Sequence, residues 1–230
     1  MELLHNMGAR GSTLYFNLYV SGFTGLMLDK YTVPISRRLL APVAGYLHTH
    51  SVSADLVTVI GFLIGLSCVP LLATEHYLLA LIALLMNRVA DGLDGELARL
   101  ERSTDAGGFL DITLDFIFYA MFPLGFALQS PETNALAAAV LIISFVGTGT
   151  SFLAFAIQAE KRELRHTEFP YKGLYYLNGL AEGTETIMVF ALMCLLAEYF
   201  AVIAFLFAFI CLLTTVNRIA FGYQTLKCNP

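Results

Sequence analysis

Residues 91–115 read DGLDGELARLERSTDAGGFLDITLD and place four aspartates beside or within strongly apolar sequence: Asp91, Asp94, Asp111 and Asp115. A carboxylate buried near lipid costs roughly 2.5–3.5 kcal/mol on membrane-insertion scales. Four of them in so short a stretch need a cation to offset their charge. A divalent metal is the obvious candidate.

The composition around this segment is that of a membrane protein. Of the 230 residues, 57% are hydrophobic and only 13% are charged, and the mean hydropathy of +0.71 does not describe a water-soluble globule. The net charge of −5 provides no basic surface for nucleic acid, so we expect no nucleic-acid partner. These numbers predict an all-α polytopic membrane protein in contact with lipid.

A helix needs about 20 apolar residues to cross the hydrocarbon core of a bilayer. Six segments meet this requirement, at residues 52–73, 77–97, 108–128, 134–157, 179–197 and 201–222, and they form a predicted domain at residues 51–227. Residues 29–50 mix apolar and basic positions, which is typical of an amphipathic helix in the membrane interface. Pro34 and Pro42 fit a short loop there equally well. Residues 1–28 form an N-terminal extension with no assigned role.

Basic residues near the span ends predict the orientation, because Lys and Arg favour the cytoplasmic side. With six spans, the basic residues fall on or near one side, whereas the opposite loops around Glu75, Pro131 and Glu198 contain none. Both termini and the four aspartates are therefore predicted at the cytoplasmic face. We expect the bacterial inner membrane as the location.

The spacing of residues 91–115 brings the acidic side chains together. On the first helix, a face about 100° wide carries two carboxylates and two small residues with an arginine on either side: Asp91, Asp94, Gly95 and Ala98, flanked by Arg88 and Arg99. On the next helix, Gly107, Asp111 and Asp115 share a face, since residues four apart are neighbours. Two such faces opposed across a helical hairpin would form a four-carboxylate box.

Hard oxygen ligands of this kind suit Mg²⁺, Mn²⁺ or Ca²⁺, and two ions about 4 Å apart can hold both sides of an in-line phosphoryl displacement. Gly95 and Ala98 leave room for a ligand against the helix, while Arg99 can supply charge to a phosphate oxygen. A diphosphate substrate is indicated. Solvated loop charges are the alternative, but Asp111 and Asp115 lie inside an apolar helix, where unpaired charge is rarely tolerated.

The string D-G-L-D-G-E-L-A-R, then seven residues, then G-G-F-L-D-I-T-L-D, resembles the signature of the CDP-alcohol phosphatidyltransferase family, usually written D-x2-D-G-x2-A-R-x8-G-x3-D-x3-D. This motif is far more specific than a lone D-x-x-D pair. Six spans with the motif on the second and third, and an amphipathic segment before the first, are also what that family looks like.

The resemblance implies roles for the matching residues. A centre of two Mg²⁺ or Mn²⁺ ions would be bound by the aspartates Asp91, Asp94, Asp111 and Asp115. The CDP part of a donor such as CDP-diacylglycerol would contact Gly95, Ala98, Arg99 and Gly107. Asp115 would act as general base for an alcohol acceptor, whose hydroxyl attacks the lipid-side phosphorus while CMP leaves. A homodimer is implied as well, but no residue identifies the acceptor alcohol.

The chain departs from the family pattern in two places. Seven residues separate Arg99 from Gly107, so either Gly107 or Gly108 can be the motif glycine. The first span opens with Ala54-Asp55, where family members often have Pro-Asn, which suggests a nucleotide contact for Asp55 or Thr58.

Two further acidic residues, Glu182 and Glu185, begin the fifth predicted span. They can form an ion pair with Arg88 or Arg218, as intramembrane charges usually do, or they can bind the acceptor.

Two other functions fit part of this pattern. A membrane prenyltransferase also grips a Mg²⁺-diphosphate with aspartates, but it would carry its two acidic motifs on separate halves of a longer bundle. A transporter could use the carboxylates as an ion pathway, yet the chain has neither internal repeats nor matched broken helices. The sequence therefore favours a transferase.

Overall fold

The computed structural model describes residues 29–162 and 183–228, and within these ranges every regular element is helical. The described ranges contain eight α-helices: α1 (Asp29–Thr49), α2 (Ala54–Leu66), α3 (Cys68–Ala73), α4 (Tyr77–Glu101), α5 (Asp105–Gln129), α6 (Pro131–Lys161), α7 (Gly183–Leu195) and α8 (Phe200–Cys228). A short 3₁₀ turn, Ala197–Tyr199, precedes α8. Three predicted features lie outside the described residues: the extension at residues 1–28, the start of the fifth span, and Glu182. The all-α prediction is confirmed.

Among the described residues, four segments are long and apolar enough to cross a membrane: Ala54–Ala73, Asp105–Gln129, Pro131–Lys161 and Ala197–Lys227. Even the shortest, with 20 residues, is about 30 Å long at the rise of an α-helix, which matches the hydrocarbon core. Helix α4 has 25 residues but carries charged side chains in its second half, and α7 has only 13 described residues. The chain is an integral membrane protein, and the count of six spans stays a prediction.

Helix α1 is continuous, so the loop alternative for residues 29–50 is wrong. Its C-terminal half packs on α4, where Ala44 is buried together with Ala90 and Leu97. A Cβ on Gly92 would lie 2.5 Å from the Cδ1 atom of Leu40, so this glycine allows the two helices to approach. The location of α1 in the membrane interface stays a prediction.

Helices α2 and α3 form one apolar stretch that is broken at Ser67. The break has a covalent cause: Pro70 has no N–H to donate to the carbonyl of Leu66, where α2 ends. Helix α2 comes very close to α4, because a Cβ on Gly61 would lie only 2.6 Å from the Cβ of Ala90. This contact fixes α2 beside the helix that carries the first two aspartates.

Aromatic stacking joins α5 to the C-terminal helices. The rings of Phe122 and Phe190 stack with centroids 4.1 Å apart, and those of Phe126 and Phe200 stack at 4.2 Å. Such pairs contribute about 0.5–1.5 kcal/mol each beyond their burial. Helices α2 and α3 pack against both α4 and α5, which make little direct backbone contact with each other. The aspartates face the gap that this arrangement leaves between α4 and α5.

Candidate active site

A three-residue turn, Arg102 to Thr104, connects α4 to α5. Arg102 has a φ of 87°, a left-handed conformation that costs a residue with a Cβ roughly 1–2 kcal/mol. Thr104 caps α5, because its Oγ1 accepts a hydrogen bond from the N–H of Gly107 at 3.0 Å. The turn thereby fixes where α5 begins and which of its residues face α4.

The four predicted aspartates line one cavity between α4 and α5. Carboxylate oxygens of Asp91, Asp111 and Asp115 all lie within 4.8 Å of one another, and these three side chains are half-buried. Asp94 is more deeply buried, with 5% of its surface exposed. The structure therefore brings together the four carboxylates that the helical spacing predicted to converge.

The arrangement fits a divalent cation. The Oδ2 atom of Asp94 is buried and has no hydrogen-bond partner among the described residues. Leaving an acceptor unpaired in this way costs free energy, more so for a charged group. Three neighbouring carboxylates add to that cost by mutual repulsion, whereas a hard cation such as Mg²⁺ or Mn²⁺ prefers oxygen ligands of this kind. The carboxylates could therefore hold a divalent metal ion, and that role stays a prediction.

One cation of the protein itself reaches this cluster. The Nη2 atom of Arg88 donates a hydrogen bond to Asp115 Oδ1 at 2.8 Å, and Nη1 lies 3.5 Å from Asp91 Oδ2. The sequence predicts that Glu182 and Glu185 pair with Arg88 or Arg218, or that they bind the acceptor. Glu182 lies outside the described residues, Glu185 lies in the first turn of α7, and the ion pairs of Arg88 are made with Asp91 and Asp115.

A groove of about 280 Å³ adjoins the acidic cavity. Asp94 and Asp111 line both spaces, so the groove opens directly onto the carboxylates. Its walls include Gly95, Ala98 and Gly107, three of the residues predicted to contact the donor. The groove is therefore the space in which a ligand could lie against α4 while reaching the cluster.

The glycines of the groove differ in what surrounds them. No atom lies within 4 Å of the position that a Cβ would take on Gly95 or Gly108, so both leave open space. A Cβ on Gly107 would instead meet Asp55 Oδ1 at 2.9 Å and Thr104 Oγ1 at 3.2 Å. Of the two candidates for the motif glycine, Gly107 is the one with close neighbours, and these are the ends of the Asp55 and Thr104 side chains.

Arg99 does not line the groove. Its Nη1 forms an ion pair with Glu96, three residues earlier on the same helix, and its side chain is 49% exposed. Glu96 also lies 3.7 Å from Arg37 of α1. The basic residue that lines the groove is Arg102, in the turn. Contact between Arg99 and a donor stays a prediction, and it requires the side chain to leave Glu96.

Sequence reasoning missed the residues that hold Arg88. Asn87 is 4% exposed, donates its Nδ2 to the carbonyl of Gly61 at 2.9 Å and directs its Oδ1 at Arg88. The available signal was an asparagine beside an arginine directly after the apolar run at residues 77–86. Asp55 and Thr58, which the sequence suggested near the nucleotide, both line the groove.

Comparison with known proteins identifies the family. The sequence pattern of the CDP-alcohol phosphatidyltransferase family matches residues 51–217 of this chain. Inner membrane protein YnjF of Escherichia coli (strain K12) is 49% identical over 201 residues, which cover 87% of this chain and 98% of that protein. An uncharacterized protein of Aquifex aeolicus (strain VF5) is 32% identical over 165 residues, or 69% of this chain and 76% of the relative.

The fold also resembles solved structures. A crystal structure of Mycobacterium tuberculosis phosphatidylinositol phosphate synthase (PgsA1) with CDP-DAG bound superposes with a TM-score of 0.66 at 18% identity, covering 81% of this chain and 94% of that one. The apo form gives a TM-score of 0.62 over 79% and 95% of the two chains. With the family match over residues 51–217, these comparisons confirm the prediction made from residues 91–115: the chain is an enzyme that belongs to the CDP-alcohol phosphatidyltransferase family.

Proposed function

We propose that the protein transfers a phosphatidyl group from CDP-diacylglycerol, or a similar CDP-linked lipid, to an alcohol, and releases CMP. The observation that carries this proposal is the convergence of four aspartates at the end of an open groove. The structural relative with CDP-DAG bound supports a CDP-linked lipid as donor. The acceptor alcohol is to be identified with a panel of alcohols.

The donor is proposed to lie along α4 in the groove. Gly95 and Ala98 present little side-chain bulk there, which permits close approach of the nucleotide to the helix. The groove ends at Asp94 and Asp111, so a nucleotide in it would direct its diphosphate toward the acidic cavity. Arg102 is the groove residue whose charge suits a phosphate oxygen.

Asp91, Asp94, Asp111 and Asp115 would hold two divalent ions, Mg²⁺ or Mn²⁺. When bound, such ions supply positive charge to the diphosphate and to the oxygen that leaves. The contribution of the protein is to fix the four carboxylates on two helices before substrate arrives, which lowers the reorganisation that the reaction requires.

The transfer itself is a substitution at phosphorus. The acceptor hydroxyl oxygen forms a bond to the lipid-side phosphorus of the donor, and the bond from that phosphorus to the bridging diphosphate oxygen breaks. CMP departs with the bridging oxygen. The hydroxyl proton passes to Asp115, which is the proposed general base. Phosphorus keeps its oxidation state and no further reactant is consumed.

The membrane arrangement completes the proposal. Helix α4 and the segment around α7 would supply the two spans beyond the four that are long and apolar enough. The site and both termini would face the cytoplasm of a bacterium, since basic residues concentrate on that side and a relative is named an inner membrane protein. The resemblance to the family suggests a homodimer.

Purified protein in lipid nanodiscs, supplied with Mg²⁺ or Mn²⁺ and CDP-diacylglycerol, should release CMP faster when the correct alcohol from a panel is added. Asp115→Asn should abolish this release but keep most of the nucleotide binding. Asp105→Asn, an exposed position in the first turn of α5, is the matched control and should behave as wild type. The proposal fails if no alcohol accelerates CMP release and no nucleotide binds in the presence of metal.

A further inference from the structure

Arg88 is held more firmly than a surface ion pair requires. Its Nε and Nη2 atoms donate to Asn87 Oδ1 at 3.0 and 2.8 Å, and Nη1 donates to the hydroxyl of Tyr119 at 3.4 Å. Together with the contacts to Asp115 and Asp91, these bonds engage all three guanidinium nitrogens. Arg88 is therefore not available to bind an incoming phosphate without giving up a partner.

The surroundings of Arg88 fix its direction. Asn87 is itself anchored to α2 through the carbonyl of Gly61, so its oxygen faces the guanidinium from a fixed point. The rings of Phe118 and Tyr119 lie 5.5 and 5.8 Å from the guanidinium carbon, a range in which aromatic faces attract cations. Residues of α2, α4 and α5 thus hold the Arg88 guanidinium in a fixed position beside the carboxylates.

Arg88 contacts the carboxylates from the side of the acidic cavity and does not line the groove. By contrast, Asp94 and Asp111 line both spaces. One oxygen of Asp115 is committed to Arg88, which leaves the other oxygen of that carboxylate for a metal ion or for the acceptor proton. Counted together with the four ionised carboxylates, the guanidinium changes the formal charge of the cluster from −4 to −3.

We propose that Arg88 is a positioning residue for the transfer: it orients Asp115 for catalysis, and as the resident cation it weakens the attraction of the acidic cluster for divalent ions. This inference rests on the proposed function in its catalytic part. Its electrostatic part concerns the free protein and needs no substrate. The two parts predict that removal of Arg88 moves turnover and metal affinity in opposite directions.

The opposite signs separate this role from a merely structural one. If Arg88 only held the helices together, its loss would loosen the carboxylates and weaken metal binding and turnover together. If its charge competes with the metal, a neutral side chain of similar length should tighten metal binding roughly tenfold or more, because unit charges a few ångströms apart interact strongly in a partly buried site. Turnover should fall because Asp115 is then free to rotate.

The experiment uses the full chain in nanodiscs, without substrate, and measures free Mn²⁺ by electron paramagnetic resonance during a titration. Arg88→Met removes the charge, and Arg88→Lys keeps the charge but cannot engage Asn87, Tyr119 and Asp115 together. Arg38→Met, which removes an exposed arginine from α1, is the control for lost positive charge and should match wild type. We expect a lower dissociation constant for Arg88→Met, with Arg88→Lys near wild type.

CMP release by the same proteins tests the catalytic part. Arg88→Met should lose at least about a hundredfold in kcat with a smaller change in the KM of the donor, the range for a misplaced catalytic group, and Arg88→Lys should recover part of the loss.

Weaker Mn²⁺ binding by folded Arg88→Met, or an unchanged kcat, overturns the proposal. If Arg88→Met does not fold, Arg88→Lys decides it: kcat must fall while Mn²⁺ affinity stays. A wild type that binds Mn²⁺ but never releases CMP would instead overturn the proposed function, and the titration would still report on Arg88.

Discussion

Replacing Gly95 with alanine should stabilise the protein and, at the same time, weaken its binding of the donor. Gly95 lies within α4, and nothing lies within 4 Å of the new Cβ, so the substitution introduces no clash. Alanine exceeds glycine in helix propensity by about 0.8–1.0 kcal/mol. The midpoint of thermal denaturation should therefore rise.

The same methyl group would stand on the wall of the groove, where the donor is proposed to touch α4. One extra methyl in a fitted contact costs about 1–3 kcal/mol, so the KM for CDP-diacylglycerol should rise roughly tenfold with kcat little changed. Gly45→Ala is the matched control: Gly45 lies in α1, also has no atom within 4 Å of a Cβ, and does not line the groove.

Initial rates of CMP release against donor concentration, together with thermal denaturation of both variants, decide the matter. Both variants should melt at a higher temperature, and only Gly95→Ala should need more donor. A stabilised Gly95→Ala with an unchanged KM would show that the donor does not lie in this groove. Destabilisation would show instead that the space beside Gly95 is not open.

Three other substitutions test separate parts of the structure. Asp94→Asn removes a buried charge whose Oδ2 has no partner among the described residues, so the metal-free protein should melt at a higher temperature and gain less from added Mn²⁺. Arg102→Gly should relieve about 1 kcal/mol of backbone strain at φ 87° and raise the KM for the donor, measured by denaturation and CMP release. Phe122→Ala removes a fully buried ring stacked on Phe190 and should cost about 3 kcal/mol in a denaturant titration, with residual activity retaining its KM.

The convergence of the aspartates could be predicted because it depends on local geometry. Spacings of three and four residues put Asp91 and Asp94 on one helix face and Asp111 and Asp115 on another. A short connection then brings the two faces together, since Arg102 is separated from Asp105 by only two residues. The family signature adds nothing to this geometry, but it gives the geometry a chemical meaning.

The contacts of Arg88 and Arg99 could not be predicted in the same way. Helical periodicity places both beside the acidic face, yet it does not say which partner each side chain reaches. Arg88 turns toward Asp115, 27 positions away in sequence, because Asn87 and the rings of α5 hold it there. Arg99 is held by Glu96 on its own helix. Side-chain choices of this kind depend on how neighbouring helices rotate, which composition does not specify.

Helix boundaries in the apolar segments were equally hard to predict. Hydrophobicity marks residues 52–73 as one span, but the chain breaks at Ser67 because of Pro70. Residues 29–50 were ambiguous because two prolines weigh against a helix, and packing of Ala44 and Leu40 on α4 accompanies the helical outcome. A hydropathy pattern registers neither the missing N–H of Pro70 nor the packing of α1 on α4.

The residues that line the acidic cavity, from Thr58 on α2 to Phe118 on α5, all lie in the first described range of the chain. A ribosome therefore synthesises every residue of this lining before it reaches α6, α7 and α8. Because synthesis runs from the N-terminus, the helices that carry the four aspartates leave the ribosome before the later helices have been made.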